Sequence, residues 1–405
     1  MCTGGEVMNR DDFKILSNDL IFFDNCATTL KPDVVVDETV KYYTSYTSNA
    51  HRGDYDNSIK VDTLYEETRD KVRDLINASS SREIAFTSGA TESLNLIVFG
   101  FMKYKLKKGD EVLLTKAEHA SNVLPWLELE KEIGIKVKYI PLDDNYRLCY
   151  KELEKMISPK TKVISIAHVT NTIGDIRPIF EIGELCKKNN IYFVVDGAQS
   201  VPHFKVDVVK NNISFLAFSA HKMLGPTGVG ILYGKYDLLD ATRPIKFGGG
   251  MNNIFYSTGE VEYKSIPTRF EAGTPNIAGV IGFGRAIDYL NSVGYEKIEA
   301  YEKELREYLV SNLKKINNVI LYNENSDTGI VLFNLKNVFP QDTSVYLNTY
   351  HICVRAGNHC AKILKDELGI MNTCRISLYF YNTKKEIDVL IEALKKSENI
   401  FDVVI

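Results

Sequence analysis

A lysine closes the segment Phe218-Ser219-Ala220-His221-Lys222, and a glycine-rich turn, Gly225-Pro226-Thr227-Gly228-Val229-Gly230, follows almost at once. A lysine at the end of an apolar run can be partly stripped of water. That lowers its pKa and frees its amine for Schiff-base chemistry. Ser219 and His221 beside it can bind an anion such as a cofactor phosphate, and the glycines permit close backbone approach. Upstream, Tyr192-Phe193-Val194-Val195-Asp196-Gly197-Ala198-Gln199 is a buried-strand pattern that ends in a carboxylate. A carboxylate for a pyridinium nitrogen and a lysine for an aldehyde are what pyridoxal 5'-phosphate requires of a protein. Asp196 also fits a helix N-cap, a role it can hold at the same time.

Two further segments carry chemistry. Ser88-Gly89-Ala90-Thr91-Glu92 follows a strand pattern and opens a helix pattern, and a helix N-terminus offers free N–H groups to a phosphate. In isolation the same residues would serve as a plain helix cap with an acidic first turn. Cys360 follows Gly357-Asn358-His359 in a polar loop near Arg355. Positive charge and the His359 imidazole would favour its thiolate, the nucleophilic form. The bland reading of any cysteine, a small buried hydrophobe, suits Cys353 and Cys374 better.

Short apolar strands alternate with amphipathic helices through the first two thirds of the chain. Strands are expected at Glu83–Phe86, Glu111–Leu114, Val137–Ile140, Val163–His168, Tyr192–Val195, Phe215–Phe218 and Gly230–Tyr233. Helices are expected at Val61–Ile76, Glu92–Lys105, Trp126–Ile133, Tyr150–Ile157 and Ile179–Lys188. Near-continuous apolar strands predict an α/β fold, a mostly parallel seven-stranded sheet covered on both faces. Ligands bind such sheets at the carboxyl ends of the strands, where Asp196, Ser219 and Lys222 fall. Pro244–Pro275 reads as loops. A long helix pattern, Ile277–Leu313, breaks near Gly294. Apolar segments Ile330–Leu335, Val345–Tyr350, Val354–Arg355 and Arg375–Leu378 and a final helix, Lys384–Lys396, read as a smaller α+β domain.

The 405 residues suit one large and one smaller domain, with 44% apolar residues for a core and 25% charged. A formal net charge of −4 leaves no basic footprint for nucleic acid. No apolar stretch approaches a membrane span, and the start lacks the pattern of a secretory signal. Seven scattered cysteines without a C-x-x-C pair argue against a disulfide framework or zinc knuckle and suit a reducing, cytoplasmic setting.

Asp196-Gly197-Ala198-Gln199 with Ser219-Ala220-His221-Lys222 resembles the cofactor site of the fold-type I, class V aminotransferases, and within them the SufS-like cysteine desulfurases. Further motifs extend the resemblance from about Ile21 to Tyr381: His51-Arg52-Gly53, Thr87–Glu92, Glu118-His119, His168–Asn171, Arg269–Asn276 and Val354–Ala361. The resemblance implies an N-terminal arm (1–20) packed on the small domain. It also implies a large cofactor domain (21–287) and a small domain (288–405) carrying the Cys360 loop. It implies that Lys222 holds pyridoxal phosphate and moves the substrate α-proton, that Asp196 pairs with the ring nitrogen, and that Gln199 lies near the phenolic oxygen. His119 would stack on the ring, while Ala90, Thr91, Ser219 and His221 would cup the phosphate, joined by Thr274 from a neighbouring subunit. Asn171 and Arg375 would meet the substrate carboxylate, Arg355 would also bind substrate, and His51 and Arg52 would flank the site.

Cys360 would be the nucleophile that separates desulfurases from aminotransferases. The implied activity converts L-cysteine to L-alanine in a homodimer, leaving a persulfide on Cys360 for an acceptor protein and iron–sulfur cluster assembly. A selenocysteine lyase, another class V transaminase and a non-enzymatic sulfur-carrier scaffold are the rival readings. Intact Lys222, Asp196 and Arg375 count against the scaffold. The chain departs from the common pattern at Ala120, where many relatives carry a second histidine, and at Asn358, where relatives often carry Gly-His-His-Cys.

Overall fold

The computed structural model describes residues 10–397. A seven-stranded sheet forms its centre, in the order Ile84–Thr87, Gly230–Gly234, Phe215–Ser219, Tyr192–Asp196, Thr161–Ala167, Glu111–Thr115, Lys136–Ile140. Gly230–Gly234 runs antiparallel to both neighbours, and the other strands run parallel. Phe215–Ser219 and Gly230–Gly234 are buried along their whole length and Thr161–Ala167 at all but Lys162, as continuous Val/Ile/Leu/Phe runs require when helices cover both faces. One apolar cluster lies on each side of this sheet.

The expected helix Glu92–Lys105 begins as Ala90–Asn95, widens into a π-helix at Leu96–Met102 and ends at Lys103–Lys105. Gly100 accounts for the crowding there: a Cβ on it would meet the Arg243 carbonyl oxygen at 2.5 Å. That same arginine donates its backbone N–H to the Gly100 carbonyl. A helix at Asp33–Ser45, absent from the sequence reading, packs on Ile277–Val293. Pro244–Pro275 is not loop throughout, since Asn252–Phe255 and Val261–Tyr263 pair as a small antiparallel hairpin.

The predicted break in the long helix falls at Gly294, between Ile277–Val293 and Tyr295–Leu313. Asp288 lies inside the first of these. A second, antiparallel sheet follows in the order Val319–Leu321, Ile330–Leu335, Thr373–Ser377, Arg355–Gly357. Val345–Tyr350 joins the helix Pro340–Asn348 and the turn after it. Of the expected arm, residues 1–9 lie outside the described residues. Phe13 packs its ring against Tyr289 and Tyr381, and Arg10 pairs with Glu386.

Candidate active site

A cavity of about 210 Å³ opens at the carboxyl ends of the parallel strands. Lys222 reaches it from a 3-10 turn, Ala220–Lys222, directly after the strand Phe215–Ser219. Burial lowers the Lys222 pKa, and Arg375 and Arg355 lower it further, while Asp196 opposes the shift. Asp196 ends the adjacent strand on the same cavity wall. Burial raises its pKa, and a hydrogen bond from the Ala198 N–H (3.0 Å) and the Lys222 charge hold it down. The two groups are each other's counter-charge. A ligand that takes the lysine amine into a neutral bond and brings its own cationic nitrogen to Asp196 replaces that attraction.

The turn carrying Lys222 is fastened from the N-terminal segment. The His221 carbonyl accepts from the Thr29 N–H (3.0 Å), the Thr28 hydroxyl (3.0 Å) and the Lys31 ammonium (3.1 Å). Burial brings the Lys31 pKa down to about 8. Lys31 carried no signal in the sequence, because a lone lysine before proline reads as a surface residue.

One end of the cavity is lined with donors. Ser219 Oγ accepts from the Ala90 N–H at 2.8 Å, leaving its own proton free to donate into the cavity. The Thr91 and Ser121 hydroxyls pair at 2.7 Å beside it. Gly230 lets the loop come this close, since a Cβ there would lie 2.3 Å from the Gly89 Cα. His221 also lines the cavity, its pKa reduced to about 4 by burial and by Lys222 and Lys31. This end suits a phosphate.

His119 caps the turn Ala120–Asn122, its Nδ1 accepting from the Ser121 N–H at 3.1 Å. The ring's proton therefore sits on Nε2. Burial, then Lys222, Arg355 and Arg375, take its pKa to about 4, so the ring is neutral. Beneath it lies a network the sequence reading missed. Glu118 pairs with Arg177, both side chains fully buried. Glu118 accepts from the Ala167 N–H (2.7 Å) and Asn122 Nδ2 (3.0 Å), while Arg177 donates to Thr115 Oγ1 (2.6 Å) and the Ala167 carbonyl (3.1 Å). Gln199 Nε2 donates to the Cys26 carbonyl at 2.9 Å, and Cys26 itself is a wall residue that had no predicted role.

Two arginines face each other at the opposite end. Arg355 and Arg375 are register partners on antiparallel strands, and both line the cavity. Like charges directly opposite destabilise a sheet unless an anion joins them. Asp24 pairs with Arg375 Nη2 at 3.1 Å, and Arg375 Nη1 donates to the Asn171 carbonyl at 3.0 Å. Arg375 Nε and Asn171 Oδ1 are buried without a hydrogen-bond partner. A ligand carboxylate would answer both the paired charge and the unused Nε–H.

Cys360 Sγ lies 4.0 Å from Arg355 Nη2. The Cys360 carbonyl accepts from the Ala120 N–H at 2.8 Å, and the His359 carbonyl from Asn171 Nδ2 at 2.7 Å. The expected help from His359 is not found. Its ring is buried, with Nε2 3.0 Å from Thr373 Oγ1, and burial drives its pKa down to about 2. It offers the thiol no charge. His359 lines the cavity, whereas Cys360, His51, Arg52 and Thr274 do not. His51 sits between Asp62 and Glu66, its Nε2 3.4 Å from the latter. Arg52 lies against Gly250, and Thr274 Oγ1 accepts from Asn49 Nδ2 at 3.3 Å. Thr274 faces a second hollow with Ser88, Glu92 and Lys246.

The family profile described as "Aminotransferase class-V" matches residues 21–390. A "Probable cysteine desulfurase" of Halalkalibacterium halodurans is 40% identical over 390 residues, 96% of each chain. A "Cysteine desulfurase" of Haloferax volcanii is 39% identical over 402 residues, 98% of this chain and 94% of that one. Among solved structures, the apo cysteine desulfurase from Thermococcus onnurineus NA1 superposes with a TM-score of 0.92 at 37% identity, covering 100% of this chain and 99% of that one. The cysteine desulfurase CsdA from Escherichia coli also gives 0.92, at 32% identity and full coverage of both chains. The chain belongs to the class V aminotransferases, and the full-length relatives it resembles within them are cysteine desulfurases.

Proposed function

We propose that the protein is a pyridoxal phosphate-dependent cysteine desulfurase that takes sulfur from L-cysteine onto Cys360 and releases L-alanine. The observation that carries this reading is one cavity lined by Lys222, Asp196 and the paired arginines, with the Cys360 thiol, not itself a lining residue, 4.0 Å from Arg355 Nη2. Ala90, Thr91, Ser219 and His221 would hold the cofactor phosphate, Asp196 its ring nitrogen, Gln199 its phenolic oxygen, and the neutral His119 ring would lie on its face. The cofactor supplies an electron sink for carbon.

The protein residues do the rest. Arg375 and Arg355, with Asn171, hold the substrate carboxylate bidentately and set its sulfur toward Cys360. Lys222, with a depressed pKa, takes the Cα proton as a neutral amine. The Cys360 thiolate then attacks the substrate sulfur. An S–S bond forms, the Cβ–S bond breaks, carbon keeps the electron pair, and reprotonation gives alanine. Arg355 Nη2 stands 4.0 Å from the attacking sulfur.

The reading extends to a homodimer in which Thr274, with His51 and Arg52 nearby, serves the neighbouring subunit's site. It extends also to a cytoplasmic role in iron–sulfur cluster assembly through an acceptor protein, and to a division into a large unit to residue 287 and a small one from 288. Among the described residues no helix is long and apolar enough to cross a membrane.

Cys360→Ser tests the reading. The variant should bind pyridoxal phosphate and L-cysteine as the wild type does, yet release no alanine. Mass spectrometry of the wild type after L-cysteine should find one added sulfur on the peptide containing Cys360. Sulfur on Cys353, Cys374 or Cys26 instead would refute the assignment of the nucleophile.

A further inference from the structure

We propose that Asn358 is a positioning residue for Cys360, fixing the backbone on which the sulfur-accepting thiol stands; this rests on the role given to Cys360 above. His359 and Cys360 are consecutive non-glycine residues with left-handed φ angles of 53° and 58°. Each such residue costs free energy, and the conformation persists only where the surroundings over-determine it. The outer contacts of the loop come from other elements: Asn171 Nδ2 on the His359 carbonyl, the Ala120 N–H on the Cys360 carbonyl, and Thr373 on the His359 ring. Only Asn358 spans the left-handed pair from within. Its Oδ1 accepts from the Cys360 N–H at 3.0 Å, and its carbonyl accepts from the Ala361 N–H at 3.0 Å.

A side-chain oxygen that accepts from the backbone two residues on is how asparagine stabilises a turn. Without it, Cys360 loses the local bond that holds its N–H inward, and φ can relax toward the right-handed region. That rotation would carry the Cα–Cβ bond, and with it Sγ, away from Arg355 Nη2. Asn358 is itself exposed, so it adds nothing to the core, and its substitution leaves no void. The departure at this position thus has a physical content: the amide acts on the geometry of the nucleophile through the backbone.

The test compares the pyridoxal phosphate-loaded wild type with Asn358→Ala and Asn358→Ser. A serine hydroxyl can accept from the same N–H without adding charge beside the thiolate. In Asn358→Ala, the absorbance change on binding L-cysteine should be unaltered while the rate at which sulfur appears on Cys360 falls about tenfold or more. Asn358→Ser should recover most of that rate. Independently of turnover, hydrogen exchange at the peptide containing Cys360 should quicken in Asn358→Ala and return toward wild type in Asn358→Ser. Transfer at the wild-type rate in Asn358→Ala, an equal loss in both variants, or unchanged exchange would each overturn the inference. Wild-type protein that gains no sulfur on Cys360 would overturn the role of the thiol, while exchange would still decide whether Asn358 holds the loop.

Discussion

Lys222 keeps its amine in a place where burial and two arginines work against its charge and one carboxylate works for it. The chemistry assigned to it needs that balance: a cation fixed by Asp196 would be no base, and an amine in open water would be protonated at neutral pH. Lys222→Ala should therefore abolish turnover, by at least about a thousandfold. The same variant should lack the visible absorption band that the wild type shows when its cofactor is linked to lysine. Turnover within tenfold of wild type would remove Lys222 from the mechanism. Lys222, Asp196 and Ser219 were legible in the sequence because each follows a continuous apolar strand, and strand ends fix direction. His359 was not, because its direction depends on a left-handed φ that neighbouring residue types do not reveal. Arg177 was missed for another reason: its partner Glu118 is 59 residues away in sequence, and no local pattern marks a long-range buried pair.

Between the strands, the Glu118–Arg177 pair does what apolar packing cannot. It joins the loop after Glu111–Thr115, the end of Thr161–Ala167 and the segment leading into Ile179–Lys188, and it sets the platform under His119. Removing one partner strands the other charge in a dry interior. Arg177→Met should thus destabilise the fold by about 3–5 kcal/mol. Arg177→Met combined with Glu118→Gln should lose markedly less than the sum of the single changes. Denaturant titration of the three variants measures this, and additive losses would show that the two side chains do not form a unit. At this scale the sheet was legible, strand by strand, since two-sided burial writes an unbroken apolar run. The helix Asp33–Ser45 was not legible, because its Val34-Val35-Val36 start favours extended structure and only packing against Ile277–Val293 overrides it. The hairpin at Asn252–Tyr263 was hidden for the opposite reason. Ile254, Phe255, Val261 and Tyr263 are exposed, so no inside–outside alternation marks the strands.

Over the whole molecule, the cavity is assembled from parts that touch it at the price of awkward titrations. Burial depresses His119, His168 and His221 to about 4 and His359 to about 2. An unfolded histidine titrates near 6.5. Between that value and the folded one, the unfolded chain binds protons that the folded chain refuses. Their contribution to stability is therefore complete above about pH 6.5 and is lost as the pH falls toward 4. Asp24, Asp175, Asp196 and Glu302, whose pKa values burial raises, work the other way. So does His51, raised chiefly by Glu66. The net curve mixes both signs, so a difference between two proteins is needed. His168 is the cleanest histidine to remove. Its Nδ1 has no partner, burial and then Arg177 depress it, and its backbone bonds to Asp196 and Arg177 do not involve the ring. His168→Gln should be less stable than wild type at pH 7.5. The gap should close as the pH is lowered from 6.5 to 4.5, by at most about 1.4 kcal/mol per pH unit. Denaturant midpoints of the two proteins across that range give the answer. Curves that stay parallel would mean that His168 keeps an ordinary pKa, and with it that the floor beneath Asp196 is wetter than its burial implies.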